Sequence, residues 1–524
     1  FLILLAGGAG AWGLAFIITR NFNIIAAGMR KVAEGNLDVS VDVKSNDVER
    51  NRVGIFYHNV EWGNIFQNDV GSSRLSDINI YSDSIGITIE KNSIGDLICP
   101  FTDSTELGSI HVGGENNQNI DILNNQISGS RWTGIIYMHV TTGHIIGNTI
   151  TGSTKNGITL ISCDAVTVEN NIVTNNNGTE YSTGIAASDS QNIDLKTNTV
   201  TGNRAGIFYN NVDIGNILDN DASNNVVLGI GVSSGSSSIT IDGNTVQNVV
   251  GTETSNGIQV GGENLNIIDV SNNQVSGCSG NGIQYDHVTT GHIVNNQVTG
   301  NTMNGINMDA CDAVTVEGNT VTGNTVGVYT GNSEKIILNG NRISENELGV
   351  IIADSINSVI FNNYFNNQNN VAIEGLSSGN SWNGEKVNHE NIMGGPYIGG
   401  NFWETPQHNG YSELNPDFDG DGLCDEAYLI QDGNVDNLPL KWPLPTAQFI
   451  SDVTSGEVPL TVVFTDASTG PDITSWTWQF NDGSADISEQ NPVHSFLTPG
   501  EYTITLTVQS SHGTDSESKV QYIS

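Results

Sequence analysis

The sequence predicts an all-β protein, most of which is a solenoid of short parallel strands. From residue 54 to residue 349 the dipeptide Gly-Ile or Gly-Val recurs, mostly every 22 to 28 residues, and the segments between alternate apolar and polar residues. A period of two indicates strands, and a regular repeat of this length without helical segments indicates stacked coils. Residues 51–395 contain a single proline, Pro100, as expected where nearly every backbone N–H pairs with a neighbouring strand.

An asparagine follows most of these glycines by eleven to fourteen residues, in the pattern Asn-x-Val or Asn-x-Ile. Parallel strands stack about 4.8 Å apart, so these asparagines are expected in register at one corner of the solenoid. Stacked amides can hydrogen-bond to one another along the axis. The predicted ladder includes Asn125, Asn148, Asn171, Asn273, Asn296 and Asn319.

A block of the solenoid is duplicated at an offset of 148 residues. The peptide CDAVTVE begins at Cys163 and again at Cys311, and VTTGHI begins at Val140 and again at Val288. The offset equals six coils, which places the copies about 29 Å apart. The two cysteines are then too distant for a disulfide, and residues repeated at this distance cannot form one site.

These coils resemble the right-handed parallel β-helix of the NosD and pectate-lyase-like families. The resemblance covers residues 51–400 and implies about 13 or 14 coils, with Val and Ile inside and polar residues outside. Enzymes on this fold gather carboxylates, His, Arg or Lys on the outer surface of adjacent coils. The resemblance therefore directs the search for a site to outward positions of neighbouring coils.

The composition limits which classes of molecule can be partners of this protein. The chain of 524 residues has 17 Lys and Arg against 57 Asp and Glu, a formal net charge of −40. A surface this acidic repels nucleic acid and anionic lipid, so both are excluded as partners. It suits cation binding and an extracellular setting, and the five scattered cysteines do not indicate a disulfide framework.

The amino end has a different character. Residues 1–19 carry no charge and are long enough to predict a transmembrane helix, which would be the only contact with a membrane. Residues 20–50 resemble the first helix and connector of a HAMP signalling linker, although the proline and second helix of that linker are missing. The predicted localisation is the cell surface, anchored through this helix.

The second copy carries a candidate catalytic site. With the coils aligned on their Gly-Ile positions, Asp286 and Asp309 should face outward one coil apart, with His287 beside them. Gln284 and Asn307 should form a ligand-contacting column next to this pair. Two carboxylates about 5 Å apart suit a retaining glycosidase or a hard cation, and two solvated aspartates without a catalytic role are the alternative.

The segment 401–445 is an Asp-rich tail. Its sequence DFDGDGLCD places Asp417, Asp419, Asp421 and Asp425 at positions 1, 3, 5 and 9 of a calcium loop, with a glycine at position 6. Tyr428 replaces the usual Glu at position 12. Calcium is the predicted cofactor, and no organic cofactor is expected.

Residues 446–524 resemble a PKD domain. The positions that carry the resemblance are Trp478, Phe480, Asp482, Gly483, Pro492, His494, Phe496, Gly500 and Tyr502. The resemblance implies a seven-stranded immunoglobulin-like β-sandwich that acts as an extracellular spacer or binder.

Three functions remain open from the sequence. The favoured hypothesis is a non-catalytic structural or adhesive protein whose partner is a polysaccharide or a cell-surface glycoprotein. The alternatives are a polysaccharide hydrolase or lyase that uses Asp286 and Asp309, and a NosD-like accessory protein for metal or substrate delivery. The set of domains resembles that of surface proteins of methanogenic archaea.

Overall fold

The computed structural model describes residues 2–8, 11–17, 41–49, 51, 53–95, 107–178, 182–251, 255–431 and 433–524. The chain divides into two compact units. Unit 1 comprises residues 1–358 and 367–379, and unit 2 comprises residues 359–366 and 380–524.

Unit 1 is a parallel β-helix whose successive coils run through three strand positions, named here faces A, B and C. Strands of face A are Val53–His58, Ser76–Tyr81, Gly108–Gly113, Thr133–Met138, Ile158–Ile161, Leu228–Ser233, Ile283–Val288, Asn304–Asp309, Val326–Gly331, Leu348–Ala353 and Asn369–Glu374. Strands of face B are Val41–Lys44, Glu61–Phe66, Ile85–Glu90, Gln118–Leu123, Gly143–Ile146, Asp164–Glu169, Ser237–Asp242, Gly291–Val294, Val314–Glu317 and Ile337–Asn339.

Three long strands pass through both A and B, which makes fourteen coils through face A in the described residues. These strands are Thr183–Lys196, Ala205–Leu218 and Asn256–Ser271. Strands of face C are Asp47–Glu49, Asp69–Gly71, Ser93–Gly95, Gln126–Ser128, Thr149–Thr151, Ile172–Thr174, Thr199–Thr201, Thr245–Gln247, Gln274–Ser276, Gln297–Thr299, Thr320–Thr322 and Arg342–Ser344. The parallel β-helix predicted from the repeat is confirmed.

The interior is filled by every second residue of each strand. In Thr133–Met138, for example, Ile135 and Tyr137 are fully buried and pair in register with Ile158 and Leu160 of the next coil. Because strand register is fixed by this apolar column, the residues between them face outward from the solenoid in register too. The outer surface is thus a set of columns with the spacing of the coils.

Asparagines form two ladders inside the corners. In the ladder after face B, the Nδ2 of Asn125 donates to the Oδ1 of Asn148 at 3.0 Å, and the same bond of 3.0 Å joins Asn273 to Asn296. The predicted members Asn171 and Asn319 donate in the same way, from Nδ2 to Oδ1 of the next asparagine at 3.0 Å. Each amide also donates to a backbone carbonyl of the preceding coil, so buried polar groups are satisfied.

The second ladder lies at the corner after face C and was not predicted. It joins Asn176 to Asn203 and Asn225, and later Asn301 to Asn324 and Asn346. The tetrapeptide Val-Thr-Gly-Asn, which recurs in the sequence before residues 204, 302 and 325, carries this ladder.

The β-helix begins before the predicted boundary at residue 51. Val41–Lys44 pairs in parallel with Glu61–Phe66, and Asp47–Glu49 pairs in parallel with Asp69–Gly71. These strands belong to the segment 20–50 that resembles a HAMP connector, and residues 20–40 of that segment lie outside the described residues.

The helix predicted for residues 1–19 is wrong in its described part. Leu2–Gly8 and Ala11–Ile17 are two antiparallel strands, and the second pairs antiparallel with Val53–His58. The sequence AGGAGAWG explains the error physically, because each glycine in a helix interior costs about 1 kcal/mol relative to alanine. In the part of the chain that the structure describes, no helix has the length and apolar character needed to cross a membrane.

Unit 2 begins with Val359–Phe361 and Tyr364–Asn366, and the latter pairs in parallel with Phe402–Glu404. Its irregular segment contains the strand pairs Val387–Asn388 with Tyr397–Ile398 and Tyr428–Gln431 with Asn434–Asp436, and the short helix Tyr411–Leu414. Phe402, Met393, Leu423 and Leu440 form its apolar core.

The carboxyl-terminal part of unit 2 is a β-sandwich of two three-stranded antiparallel sheets. One sheet contains Phe449–Ser451, Leu460–Asp466 and Val493–Phe496, and the other contains Ile473–Gln479, Tyr502–Ser510 and Thr514–Ile523. The motif residues Trp478, Phe480 and Phe496 are buried in its core. The described residues therefore contain six strands of this sandwich, where the resemblance implied seven.

Candidate functional site

The candidate site is a polar patch on the outer surface of face A in the second copy of the duplication. It consists of Gln259, Gln284 and Asn307 in one column and Asp286 and Asp309 in the next, and is called here the carboxylate–amide surface. All five side chains are half-buried. Regular strand register brings residues from three coils together.

The aspartates stack in register one coil apart. Asp286 pairs with Asp309 across the parallel strands Ile283–Val288 and Asn304–Asp309. Oδ1 of Asp286 accepts a hydrogen bond of 2.8 Å from Nδ1 of His287, and Oδ1 of Asp309 accepts one of 2.9 Å from the Asn332 amide. Each carboxylate thus keeps Oδ2 free of partners among the described residues, and these oxygens are acceptors for a ligand.

The amide column presents donors. The side-chain oxygen of Gln284 accepts hydrogen bonds from the Nδ2 atoms of Asn256, at 2.9 Å, and Asn281, at 3.1 Å. The oxygen of Asn307 accepts a bond of 2.6 Å from Asn304. Because these oxygens are occupied, the amide N–H groups of Gln284 and Asn307 are turned away from their supports and have no partner in the described structure. Donors and acceptors therefore stand in adjacent columns.

Tyr329 ends the amide column. It is in register with Asn307, and its ring lies against Gly331, which is in register with Asp309. A Cβ at Gly331 would come within 2.8 Å of both the Tyr329 hydroxyl and Oδ1 of Asp309, so a larger residue there would displace one of these side chains. Partial burial, together with the charges of Asp309 and its neighbours, raises the pKa of Tyr329 and keeps it protonated.

Beyond Tyr329 the outer surface of face A becomes apolar. Val326, Ile351 and Ala353 form a cluster against which Tyr329, Leu348 and Ala372 pack. The candidate surface thus passes from charged and amide groups to an aromatic ring and then to aliphatic side chains over successive coils.

The first copy lacks this chemistry. In the coils that correspond to those of Gln284, Asn307 and Tyr329, its outer column contains Ile136, Thr159 and Ala186 in register. In place of the two aspartates are Met138 and Ile161. The carboxylate–amide surface is therefore a property of the second copy alone.

Of the predicted site residues, Asp286, Asp309, Gln284 and Asn307 belong to this surface, and His287 borders it through its hydrogen bond to Asp286. The sequence prediction missed the supporting amides Asn256, Asn281 and Asn304, and the aromatic Tyr329. The three asparagines occupy equivalent positions at the start of successive face A strands, so the sequence carried a signal for them. Tyr329 had no such signal, because its role depends on a glycine in register with Asp309.

The electrostatic environment is acidic. The sequence contains no Lys or Arg between Arg204 and Lys335, a stretch that includes the whole surface. His287, with 63% of its side chain exposed, is held by Asp286. An anionic ligand would find no fixed positive charge here, whereas neutral and cationic ligands need none.

The predicted calcium loop lies in unit 2. Oxygens of Asp417, Asp419 and Asp421 lie within 4.8 Å of one another. Partial burial raises the pKa of Asp417 even though backbone N–H groups of its own loop donate to it. Asp425 is not part of this group and accepts a bond of 2.6 Å from the backbone N–H of Phe418.

A lysine also takes part in this loop. The ammonium of Lys386 pairs with Oδ2 of Asp421 and lies 4.5 Å from the centre of the Tyr397 ring. An ion bound by the three aspartates would have to share Asp421 with this lysine or displace it.

Several solved structures are similar to this chain. The periplasmic alginate epimerase AlgG is 14% identical, with 70% of this chain and 92% of that chain covered and a TM-score of 0.37. The A-module of the mannuronan C-5 epimerase AlgE4 of Azotobacter vinelandii is 12% identical over 68% and 91%, with a TM-score of 0.40. The PKD1 domain of the metalloprotease PrtV of Vibrio cholerae is 29% identical over 15% of this chain and 96% of that one, with a TM-score of 0.14.

Two protein families match the sequence itself. The PKD domain family matches residues 441–524, in agreement with the β-sandwich. The family described as periplasmic copper-binding protein (NosD) matches twice, over residues 102–257 and 239–408. These two matches together span more than half of the chain and include the carboxylate–amide surface, and the chain therefore belongs to the NosD family.

Proposed function

We propose that this chain is an extracytoplasmic polysaccharide-binding protein, and that the carboxylate–amide surface of the β-helix is its binding surface. The periplasmic description of the NosD family and the PKD domain support a location outside the cytoplasm. The partner is a free polysaccharide or the glycan of a cell-surface glycoprotein.

One observation carries the proposal. Free amide donors of Gln284 and Asn307 and free carboxylate oxygens of Asp286 and Asp309 alternate across two columns, with one residue of each kind per coil. Each sugar hydroxyl is both a donor and an acceptor, so a sugar chain can use both columns at once. The Tyr329 ring offers an apolar face of the kind that packs on a pyranose ring.

Charge defines the class of glycan. Two carboxylates and the absence of Lys or Arg over the whole stretch between Arg204 and Lys335 disfavour polyuronates and sulfated glycans. Neutral glycans and those with protonated amino sugars fit this surface. The formal net charge of −40 also disfavours anionic glycans, at longer range.

A hydrolase or lyase is the second candidate, because the aspartates are in register on neighbouring parallel strands, which lie about 4.8 Å apart, and a retaining pair needs about 5 to 5.5 Å. Binding is favoured over catalysis for a physical reason. A general acid needs a carboxyl group kept protonated by an apolar environment, whereas 37% of the Asp286 side chain is exposed and is paired with His287.

The test is glycan binding by the full chain. Isothermal titration with a neutral glucan, a mannan and chitosan is expected to give binding, and alginate is expected to give none. Replacing both aspartates by the residues of the first copy, Asp286→Met with Asp309→Ile, should raise the Kd at least about tenfold, which corresponds to about 1.4 kcal/mol.

A matched control removes the same charge elsewhere. Asp121 and Asp269 occupy equivalent outward positions of face B in the two copies, and each is paired with a histidine. The variant Asp121→Asn with Asp269→Asn should bind as the wild type does. Equal binding by the Asp286/Asp309 variant would refute the proposed surface. Release of reducing ends by the wild type but not by Asp286→Asn would establish the enzyme instead.

Copper is implied by the family description, and the described residues do not fit it well. Copper(I) favours Cys and Met sulfur. Cys163, Cys278, Cys311 and Cys424 are each buried and unpaired. No group of metal-binding side chains in the described ranges contains two histidines or joins a histidine to a sulfur. No step of the proposed function uses copper.

We also propose that the loop of Asp417, Asp419 and Asp421 binds calcium. Three carboxylates within 4.8 Å and the raised pKa of Asp417 support a need for a cation. Lys386 competes for Asp421, so the affinity should be in the weak range of extracellular calcium modules, about 0.1 to 1 mM. Calcium should raise the melting temperature of the wild type but not that of Asp419→Ala, and an equal rise in both would refute this site.

A further inference from the structure

A second group of ionisable side chains in unit 2 is not explained by the proposed function. Glu404 ends the strand Phe402–Glu404, His408 lies in the turn that follows, and Glu413 lies in the helix Tyr411–Leu414. One ligand atom of each lies within 4.8 Å of the others. This group is called here the Glu–His–Glu triad.

The three side chains converge on one point. Nδ1 of His408 lies 3.0 Å from Oε1 of Glu404 and 3.2 Å from Oε1 of Glu413, so a single ring N–H is shared between two carboxylates. One ring proton cannot give a full hydrogen bond to both oxygens at once. A cation of higher charge at this point would interact with all three atoms.

The other oxygen of each carboxylate is held from behind. Oε2 of Glu404 accepts a hydrogen bond of 2.6 Å from the Tyr364 hydroxyl, and Oε2 of Glu413 accepts one of 2.9 Å from the backbone N–H of Gly410. Each carboxylate therefore presents one oxygen towards the triad. Outer hydrogen bonds of this kind orient the ligands in metal sites and raise their affinity.

Burial makes the negative charge costly. The side chains of Glu404 and Glu413 are 8% and 14% exposed, while that of His408 is 77% exposed. The nearby ammonium of Lys441 donates to the carbonyls of Ser412, Glu413 and Asn415 rather than to the carboxylates. Two largely buried carboxylates with an imidazole at their mouth form a cup that is open on one side.

We propose that the Glu–His–Glu triad binds a divalent transition-metal ion of the zinc class. An imidazole nitrogen with two carboxylate oxygens suits such an ion, whereas calcium takes oxygen ligands only. Three protein ligands leave one position of a tetrahedral ion for water or a ligand, on the side where His408 is exposed. The site is separate from the aspartate loop and does not depend on the polysaccharide proposal.

The experiment is titration of the full chain, after dialysis against a chelator, with zinc chloride alone. The expected result is a site with a Kd of about 1 μM or tighter. His408→Ala and Glu404→Gln should each weaken binding by at least about 100-fold, and Tyr364→Phe, which removes an outer hydrogen bond, by about tenfold. Glu413→Gln should also abolish the site, although glutamine preserves the capping interaction of the helix.

Two control variants test whether zinc binding is specific to the triad. Asp419→Asn lies in the other carboxylate group of unit 2, and His389→Ala removes an exposed histidine outside the triad. Both should bind zinc as the wild type does. All variants are compared in chelator by melting temperature, so a variant that fails to fold is recognised and replaced by the milder Tyr364→Phe. Wild-type affinity in His408→Ala, or a site that takes calcium in preference to zinc, would overturn the proposal.

Discussion

The two copies of the duplicated block have similar apolar interiors and differ in part of their exteriors. Inside, Tyr137 and Tyr285 are both fully buried. Their hydroxyls donate to the backbone carbonyls of Ile120 and Ile268, at 2.8 and 2.9 Å respectively. Among the outward-facing positions, the buried Ile136 of the first copy corresponds to the half-buried Gln284 of the second. The same coil therefore supports an apolar exterior in one place and a polar one in another.

This difference shows which positions were free to change. An interior residue packs in a stacked column with the coils on both sides, so a large change of volume or polarity there is costly, whereas an outward residue can change polarity at a smaller cost. Function is accordingly expected where the copies differ. The Asp286–Asp309 pair, which replaces Met138 and Ile161, is a change of this kind and introduces two carboxylates.

The first way to test the comparison is to break the ladder in each copy. Asn148 and Asn296 make the same hydrogen bonds. The side-chain amide of each donates to a carbonyl of the preceding coil, to a carbonyl of its own coil and to the next asparagine of the ladder. Asn148→Ala or Asn296→Ala leaves buried donors and acceptors unsatisfied, so each should lower the free energy of unfolding by about 3 to 4 kcal/mol. Urea denaturation measures the loss.

Similar losses are expected because the two side chains make the same set of hydrogen bonds. Gln297→Ala is the control, since Gln297 follows Asn296 in the chain but is exposed on face C, and it should change stability by no more than about 0.5 kcal/mol. A loss in one copy that is twice that in the other would show that the two interiors are not equivalent.

The two copies also differ in how low pH is expected to affect their stability. His111 in the first copy corresponds to Gln259 in the second, and burial lowers the pKa of His111 to about 4. An unfolded histidine has a pKa of about 6.5, so as the pH falls the unfolded state takes up the proton first. The free energy of unfolding is therefore not reduced by His111 above pH 6.5, and it falls as the pH is lowered from 6.5 towards 4.

The variant His111→Gln makes the first copy like the second. In the wild type, His111 should lower the free energy of unfolding by about 2 to 3 kcal/mol between pH 7.5 and pH 4.5, and the variant should not show this decrease. Melting temperatures of wild type and variant at the two values measure it. The same pH dependence in both proteins would mean that His111 is not the group responsible.

A smaller effect is expected from the buried tyrosines. Tyr137→Phe and Tyr285→Phe each remove one hydroxyl that donates to a buried carbonyl, and each should cost about 1 to 1.5 kcal/mol. Tyr209, outside the duplicated sequence, donates to Ile193 at 3.0 Å in the same way and is a third instance. Three equal losses in urea denaturation would support one common interior, and a loss confined to one tyrosine would contradict it.

Most of the fold was predictable because it depends on period. The Gly-Ile repeat and the Asn-x-Val repeat fix strand register, and register fixes which side chains are inside, so the column of Asp286 and Asp309 followed from the sequence. The amino end was predicted wrongly, because a short uncharged segment fits a helix and a strand pair equally well when its glycines are ignored.

The candidate sites were only partly predictable. The free amide donors of Gln284 and Asn307 depend on bonds from asparagines that start the strands, which a pattern of outward positions does not reveal. The Glu–His–Glu triad was missed entirely, because Glu404, His408 and Glu413 lie in a strand, a turn and a helix without a repeat to align them. Periodic structure was readable from sequence, and irregular structure was not.

The smallest predicted effect concerns the pair of Asp286 and His287. His139 is the equivalent of His287 in the first copy, and both backbones have a positive φ, of 55° and 57°. Replacing either by alanine therefore carries the same backbone cost, and the difference between His287→Ala and His139→Ala isolates the interaction with Asp286. For an exposed pair this difference should be about 0.2 to 1 kcal/mol at low salt. Denaturation in about 1 M salt, where the screening length is about 3 Å, should remove most of it if the pair is ionic. A difference that survives salt would show instead that His287 orients the Asp286 carboxylate through a hydrogen bond, and would make His287 part of the binding surface.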